Sequence, residues 1–495
     1  MRQDRSGRLS EDNLARINSE VETPDYDRNA LAMGIVHIGV GAFHRAHQAV
    51  YVDDCLKAGE SDWGIAGASL RSPDTRDALS PQDGLYTLAV QDASGERLRV
   101  IGSIRELLVA PENPQALVAR LADRATRIVT LTVTEKAYLR GADGGLDLDH
   151  ADIAWDLANP RRPRTVYGFL AAGLESRFAA GLPAFTVLCC DNLPANGKTV
   201  QRLFLGFVEA RGSKFTDAMT EVAFPSTMVD RIVPATTDED RSRISGKIGL
   251  VDAWPVKTEP FMQWVVEDRF PLGRPRWERF GVTMVKDVRS FEEMKLRLLN
   301  GAHSAMAYLG LLTGRATVAE AFGDPDIRTF VDGLWQEAIP TLPREAGLKP
   351  EKYIAALAER FSNPALVHRT AQIAMDGSQK LPQRVLASAT DRLRNGSTAD
   401  HLLTVVAAWI ACCELRGDTL PAAHFTDPLD ERLAGIFAGS APVNALVTQI
   451  FQVAGFTAAD EGGEMARMVA AKLETIRKDG AIAAMRAANA QGAAE

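Results

Sequence analysis

At residue 34 a polar arm gives way to Gly34-Ile-Val-His-Ile-Gly39-Val-Gly41-Ala-Phe43, a short apolar run that ends in a glycine turn. An unbroken apolar run bounded by such a turn reads as a buried strand, and a strand buried on both faces belongs to a parallel sheet. The first glycine permits the tight turn. The second lets the backbone approach a pyrophosphate held by amide groups where the next helix begins. Gly39, Gly41, Ala42 and Phe43 are therefore candidate cofactor-binding residues. A tight turn with no ligand has the same spelling, and His44 stands where the third glycine of a GxGxxG fingerprint belongs.

The rest of the chain is consistent with that start. Residues 45–57 suit a helix packed on a sheet, and 63–70, 126–133 and 184–190 are further short, apolar or β-branched runs. Strands alternating with helical stretches predict a parallel α/β sheet. Past residue 285 helical patterns dominate, at 291–312, 325–339, 350–361, 401–415, 442–453 and 463–488. The expected fold class is α/β, with an arm at 1–33, a Rossmann-type dinucleotide-binding domain at 34–285 and a mostly helical substrate and catalytic domain at 286–495. The alanine-rich tail, 481–495, reads as a helix that frays.

Composition narrows the function. The 495 residues carry a net charge of -8 with no basic run, which argues against a nucleic-acid surface. Five cysteines (Cys55, Cys189, Cys190, Cys412 and Cys413) lack any CxxC or Cys/His spacing, so neither zinc nor another metal is expected, and the thiols read as reduced. The N-terminus has no apolar signal core, and the longest apolar run, 402–413, is too short for a bilayer. A cytoplasmic location is the expectation. At the end of the second strand, where an acid would hold the ribose hydroxyls of NAD, the chain offers Ala68, Ser69 and Leu70, with Arg71 nearer than Asp74. Ser69 and Arg71 join the cofactor candidates, and a small residue beside an arginine admits the extra phosphate of NADP.

Three polar clusters could carry chemistry. Met294-Lys295-Leu-Arg-Leu-Leu-Asn300-Gly-Ala-His303 reads as a helix in which Asn300 lies ~140° and His303 ~80° from Lys295, one broad polar face. A solvated helix edge has the same pattern. Asp191-Asn192-Leu-Pro-Ala-Asn196-Gly197 directly follows a buried strand, where ligands of open α/β sheets bind. In Phe224-Pro-Ser-Thr-Met-Val-Asp230-Arg231-Ile-Val-Pro234 a charged pair interrupts an apolar run, and that pair reads equally as a structural ion pair.

Together these stretches resemble the polyol-specific long-chain dehydrogenase family, which includes mannitol 2-dehydrogenase and fructuronate reductase. The resemblance runs from about residue 34 to about 440. It rests on Gly39-x-Gly41-x-Phe43-His44-Arg45-Ala46-His47-Gln48, Thr132-Val-Thr-Glu135-Lys136, Cys190-Asp-Asn192, Val229-Asp230-Arg231-Ile232, Lys295 with Asn300 and His303, Arg360-Phe-Ser-Asn-Pro364, and Asp376-Gly-Ser-Gln-Lys380-Leu-Pro-Gln-Arg384. It implies NAD as cofactor, with NADP open, no catalytic zinc, and a monomer. It implies Lys295 as the general acid/base, with a pKa lowered by burial or neighbouring charge. Asn192 and Asn300 become amide donors to a developing alkoxide. His303 orients the substrate, Asp230 holds one of its hydroxyls, and Glu292 and Glu135 relay the proton.

Substrate class turns on charge. A carboxylate favours arginine or lysine at its binding site, and His368, Arg369, Lys380 and Arg384 lie in the helical half. Arg369 and Lys380 are the substrate-binding candidates. The wording around Asp376 is closer to fructuronate reductases, so D-mannonate/D-fructuronate is the first expectation. D-mannitol/D-fructose is the alternative, and arabinitol or a related pentitol stays open. A dinucleotide sensor that has lost its chemistry is the reading from another class.

Overall fold

The computed structural model describes residues 7–141, 143–345, 347–365, 367–415, 425–460 and 463–492. The chain forms two compact units, Met1–Arg289 and Ser290–Glu495.

The first unit is built on a five-stranded parallel sheet. Its strands are β1 (Ile35–Ile38), β2 (Ile65–Ser69), β5 (Ile104–Val109), β6 (Ile128–Leu131) and β7 (Thr186–Cys189), in the order β5-β2-β1-β6-β7. All four residues of β1, of β6 and of β7 are buried, which is why these strands read as continuous apolar runs. The order reverses at β1, so the crevice beyond its carboxyl end opens between β2 and β6. Two smaller sheets flank this core. One pairs β3 (Tyr86–Asp92) with the antiparallel β4 (Gly95–Ile101) and the parallel β9 (Val256–Thr258); the other orders β8 (Thr227–Asp230), β10 (Gln263–Glu267) and β11 (Thr283–Val285) as β11-β10-β8.

The helix expected at 45–57 is two helices, Ala42–Ala46 and Gln48–Lys57, broken at His47. The described part of the N-terminal arm carries two 3-10 turns, Glu11–Arg16 and Arg28–Ala30. It is fastened to this unit: Leu9 is buried, and the buried Arg28 guanidinium donates to the carbonyls of Gly102 and Ile104. An arm that buries an arginine on backbone carbonyls is part of the domain, because an unpaired guanidinium there would be costly.

Every named element of the second unit is helical. Gly301–Leu312 and Asp400–Leu415 pack against each other and are buried almost all round, as their unbroken apolar composition requires. Pro350–Phe361 starts on its proline, which fixes φ where no amide donor is needed. The stretch expected as one helix at 463–488 is two, Glu464–Asp479 and Ala481–Gly492, separated by Gly480 at φ 88°. The last three residues of the expected frayed tail lie outside the described residues. No described helix is long and apolar enough to cross a membrane.

Candidate active site

The turn after β1 is shaped by its glycines. Gly39 has φ 100°, and a Cβ there would lie 2.1 Å from the carbonyl oxygen of Thr132. At Gly41 a Cβ would meet nothing closer than 3.8 Å, so the backbone faces open space. That space is a cavity of about 760 Å³ lined by Gly39, Gly41, Ser69, Arg71, Thr132 and Thr134 among others. Its size and its place at the order reversal suit a dinucleotide. Ala42 and Phe43 open the next helix and are half-buried; the Phe43 ring stacks on His47 at 5.0 Å.

His44 stands where a glycine normally lets helix and sheet approach. Its ring is buried and stacks face to face on His37 of β1, with centroids 3.4 Å apart. The His37 ring is held by the hydroxyls of Thr130 (2.7 Å) and Thr132 (2.9 Å). Burial keeps both rings neutral, pushing His37 to about 3 and His44 well below the ordinary histidine range. Close packing comes here from stacked rings rather than from an absent side chain.

A second cluster lies at the carboxyl ends of β6 and β7. The Asp191 carboxylate accepts from the Val133 amide (2.9 Å), the Thr134 amide (3.3 Å) and the Tyr138 hydroxyl (2.6 Å). Burial still raises its pKa, against those three hydrogen bonds. Thr134 has φ 71°, an outlier for a β-branched residue, and Ala195 has φ 44°. Strain of this kind persists only where its surroundings hold it. The next residues are the exposed Glu135 and Asn192. Asn196 binds the Thr227 carbonyl at 2.9 Å and accepts from the Thr227 amide at 2.9 Å, tying the loop after β7 to β8. Asp230 ends β8 and is buried. Its neighbour is not its partner: the Arg231 guanidinium donates to the backbone carbonyls of Ala46 and Glu259. The ion pair that the sequence allowed between them does not form.

In the second unit the stretch expected as one regular helix changes pitch. Arg289–Met294 and Gly301–Leu312 are α-helical, but Lys295–Asn300 between them is a π-turn. In a π-turn the ladder closes from i to i+5, which brings residues five apart over one another. Lys295 and Asn300 are such a pair, so the ~140° separation of a regular helix does not apply. Both are half-buried, as is Glu292 one turn earlier. A second π-turn, Pro382–Leu386, packs against the first. Gly301 allows the approach, since a Cβ there would lie 3.1 Å from the Arg384 carbonyl oxygen.

Beyond the π-turn His303 is buried, tilted against Phe361 and edge-on to His368, both at 5.1 Å. Its pKa is pushed far down, first by burial and then by His368, Arg360, Arg384 and Lys295. Arg384 donates to the Ser304 hydroxyl at 3.3 Å and has no ion-pair partner among the described residues. Lys380 donates to the Met375 carbonyl at 2.6 Å and lies 3.5 Å from Asp376, with its pKa lowered by burial and by Arg384. Arg369 is different: its side chain is exposed at the start of Thr370–Ala374.

Asp191 stood in a polar cluster of the sequence but without a role, and Tyr138, His37 and the arginines of the loop at 159–165 were not singled out by sequence. The last had a signal in Arg161-Arg162-Pro163-Arg164, a run too short to register as a basic patch.

Comparison with known proteins places this architecture. Residues 33–279 match the mannitol dehydrogenase Rossmann domain, and 287–477 match the mannitol dehydrogenase C-terminal domain. The chain belongs to the mannitol dehydrogenase family. As a member it is an oxidoreductase on a Rossmann-like sheet domain followed by a helical domain. It is 40% identical over 483 residues to a mannitol 2-dehydrogenase of Phaeosphaeria nodorum, covering 96% of this chain and 84% of that protein. A mannitol 2-dehydrogenase of Aspergillus fumigatus is 42% identical over 442 residues, covering 86% and 88%. Among solved structures, the Pseudomonas fluorescens mannitol 2-dehydrogenase ternary complex with NAD and D-mannitol is 37% identical, with a TM-score of 0.82 over 97% of this chain and 99% of that one. A D-sorbitol dehydrogenase in substrate-free form is 33% identical, with a TM-score of 0.90 over 97% and 100%.

Proposed function

We propose that this family member is a nicotinamide-dependent polyol 2-dehydrogenase that interconverts D-mannitol and D-fructose. The observation that carries the reading is the likeness to mannitol 2-dehydrogenases at about two residues in five over most of the chain. Of the two substrates expected from sequence, the relatives favour the polyol.

The residues support that chemistry. Gly39 and Gly41 open the cavity after β1 to a dinucleotide backbone, Ala42 and Phe43 supply the amides that follow, and Ser69 and Arg71 line its far side. When bound there, the nicotinamide takes up or gives back the hydride. Lys295 removes the hydroxyl proton or returns it, and Glu292, one helical turn earlier, passes that proton on. Asn300, carried over Lys295 by the π-turn, donates to the oxygen as its charge develops. His303 is neutral through burial and orients a substrate hydroxyl. On the first unit, Asn192, Asp230 and Glu135 carry the amide, hydroxyl-binding and relay roles proposed for them. Lys380 is kept as a substrate-binding residue, and Arg369 as one whose exposed side chain would bind only by turning inward.

One observation favours a second reading, oxidation of a sugar acid such as D-mannonate. Arg384 is a half-buried guanidinium with no ion-pair partner among the described residues, with Lys380 and the Asp376 carboxylate in electrostatic range, and a cation so placed can receive an anion. The test is nicotinamide absorbance with D-mannitol, D-sorbitol, D-arabinitol and D-mannonate, in both directions. Turnover of mannitol at least about tenfold above mannonate, in kcat/KM, supports the first reading. The reverse order supports the second. Cofactor binding with no turnover of any of them leaves a dinucleotide sensor.

A further inference from the structure

We infer that Asp427 is a positioning residue for substrate binding: its buried carboxylate, brought in from a distant stretch of the second unit, caps the short helix Gly377–Leu381 and so fixes where Lys380 is held. The inference rests on the role proposed above for Lys380 and adds to it what sets that lysine in place.

The helix needs an anchor from outside. Asp376 opens it at φ 57°, in the left-handed region, and its own side chain makes no capping hydrogen bond. A residue other than glycine stays in that region only where its surroundings hold it, and the first amides of a helix need acceptors. Residues 426 and 427 supply both. The Thr426 carbonyl accepts from the Asp376 amide at 3.0 Å. The Asp427 carboxylate accepts from the Ser378 amide at 2.8 Å and from the Ser378 hydroxyl at 2.6 Å, which is the work of an N-cap side chain done from elsewhere in the chain. The same carboxylate accepts from the Leu429 amide at 3.1 Å, so its own turn is fixed as well. Asp427 and Ser378 are each 5% exposed, and solvent is poorly placed to replace these bonds. Gly377 lets the turn lie close against its neighbours, since a Cβ there would sit 2.4 Å from Trp409 Nε1 and 2.5 Å from the Tyr308 hydroxyl oxygen.

The cap leads directly to the lysine. Lys380 is two residues on from Ser378; its amide donates to the Asp376 carbonyl at 3.1 Å and its ammonium to the Met375 carbonyl at 2.6 Å. Its backbone and its side chain are thus both referred to the turn that residues 426 and 427 hold. Arg384, Asp376 and Asp427 are its charged neighbours. Asp427 therefore acts through Lys380, and a turn freed from it would leave the ammonium without a fixed place opposite the substrate.

Steady-state kinetics on the full-length protein test this, with whichever of D-mannitol, D-sorbitol and D-mannonate it turns over best. Asp427→Asn keeps the shape but loses the charge and one acceptor. It should raise the substrate KM about tenfold or more, with kcat and dinucleotide affinity within about threefold, because a charged hydrogen bond is worth about a decade. Ser378→Ala loses the hydroxyl bond alone and should raise KM about threefold with a near-native melting temperature, so the test survives if Asp427→Asn folds poorly. In a Lys380→Gln background Asp427→Asn should raise KM no further, whereas a merely structural acid would add its effect in both backgrounds. An unchanged KM in Asp427→Asn and Ser378→Ala, additive effects in the double variant, or an unchanged KM in Lys380→Gln overturns the inference and leaves the dehydrogenase reading intact. No turnover of any of the three substrates by the unaltered protein overturns the dehydrogenase reading itself.

Discussion

Asp191 shows how one side chain holds several others. Its carboxylate satisfies two amides of the segment in which Thr134 is forced to positive φ, and it receives the Tyr138 hydroxyl. Asp191→Ala should cost about 1–3 kcal/mol of stability, read from the urea midpoint, because the part-buried Val133 amide and the buried Tyr138 phenol lose their acceptor together. Tyr138→Phe removes one bond of the three and should cost about 1 kcal/mol. A second expectation concerns four histidines, His37, His44, His303 and His368, whose pKa values burial pushes below the ordinary range. The folded protein keeps them neutral, while the unfolded chain takes up protons below about pH 6.5. Their contribution is present above that pH and is lost as pH falls toward their folded values. The melting temperature should therefore drop from pH 7 to pH 5, and His44→Phe should flatten that slope. An unchanged slope in the variant would contradict the neutral stack. None of this was legible from sequence: His37 and His44 are seven residues apart in a strand and a helix, and only the fold brings their rings together.

At the scale of elements, legibility followed burial. The four strands expected at 34–43, 63–70, 126–133 and 184–190 correspond to β1, β2, β6 and β7, because a strand covered on both faces must be apolar throughout. The β3–β4 hairpin, more than half of it short of full burial, hid among polar residues, and β8, β10 and β11 take their pairing from partners far along the chain. The π-turn was legible only as a helix. Its extra residue per turn depends on what packs against it, although Pro382, inside the second π-turn, was a usable signal, since proline removes a donor from a regular ladder. Inserting one alanine after Leu296 should swing Lys295 about 100° around the axis from Asn300 and His303. The expected result is a loss of kcat by about a hundredfold or more, with near-native helical circular dichroism. Retained turnover would remove the role proposed for the π-turn.

For the whole molecule, the sharp change of pattern near residue 285 reflects a change of physics, from strands that need neighbours to helices that close their own hydrogen bonds. The two family domains match on either side of that region, at 33–279 and 287–477. The five cysteines are all buried, and burial raises the pKa of Cys55, Cys189 and Cys190. Native protein should react with a thiol reagent far more slowly than free cysteine, and five equivalents should titrate in denaturant. Fast labelling of two or more in the native state would contradict this packing.

The paired rings of His37 and His44 should tie the shape of the glycine turn to acidity from beneath it rather than from within it. Two neutral imidazoles can share one stack, but two imidazolium ions at that spacing repel. Acid strong enough to charge them should push the turn away from its strand and weaken its hold on a dinucleotide.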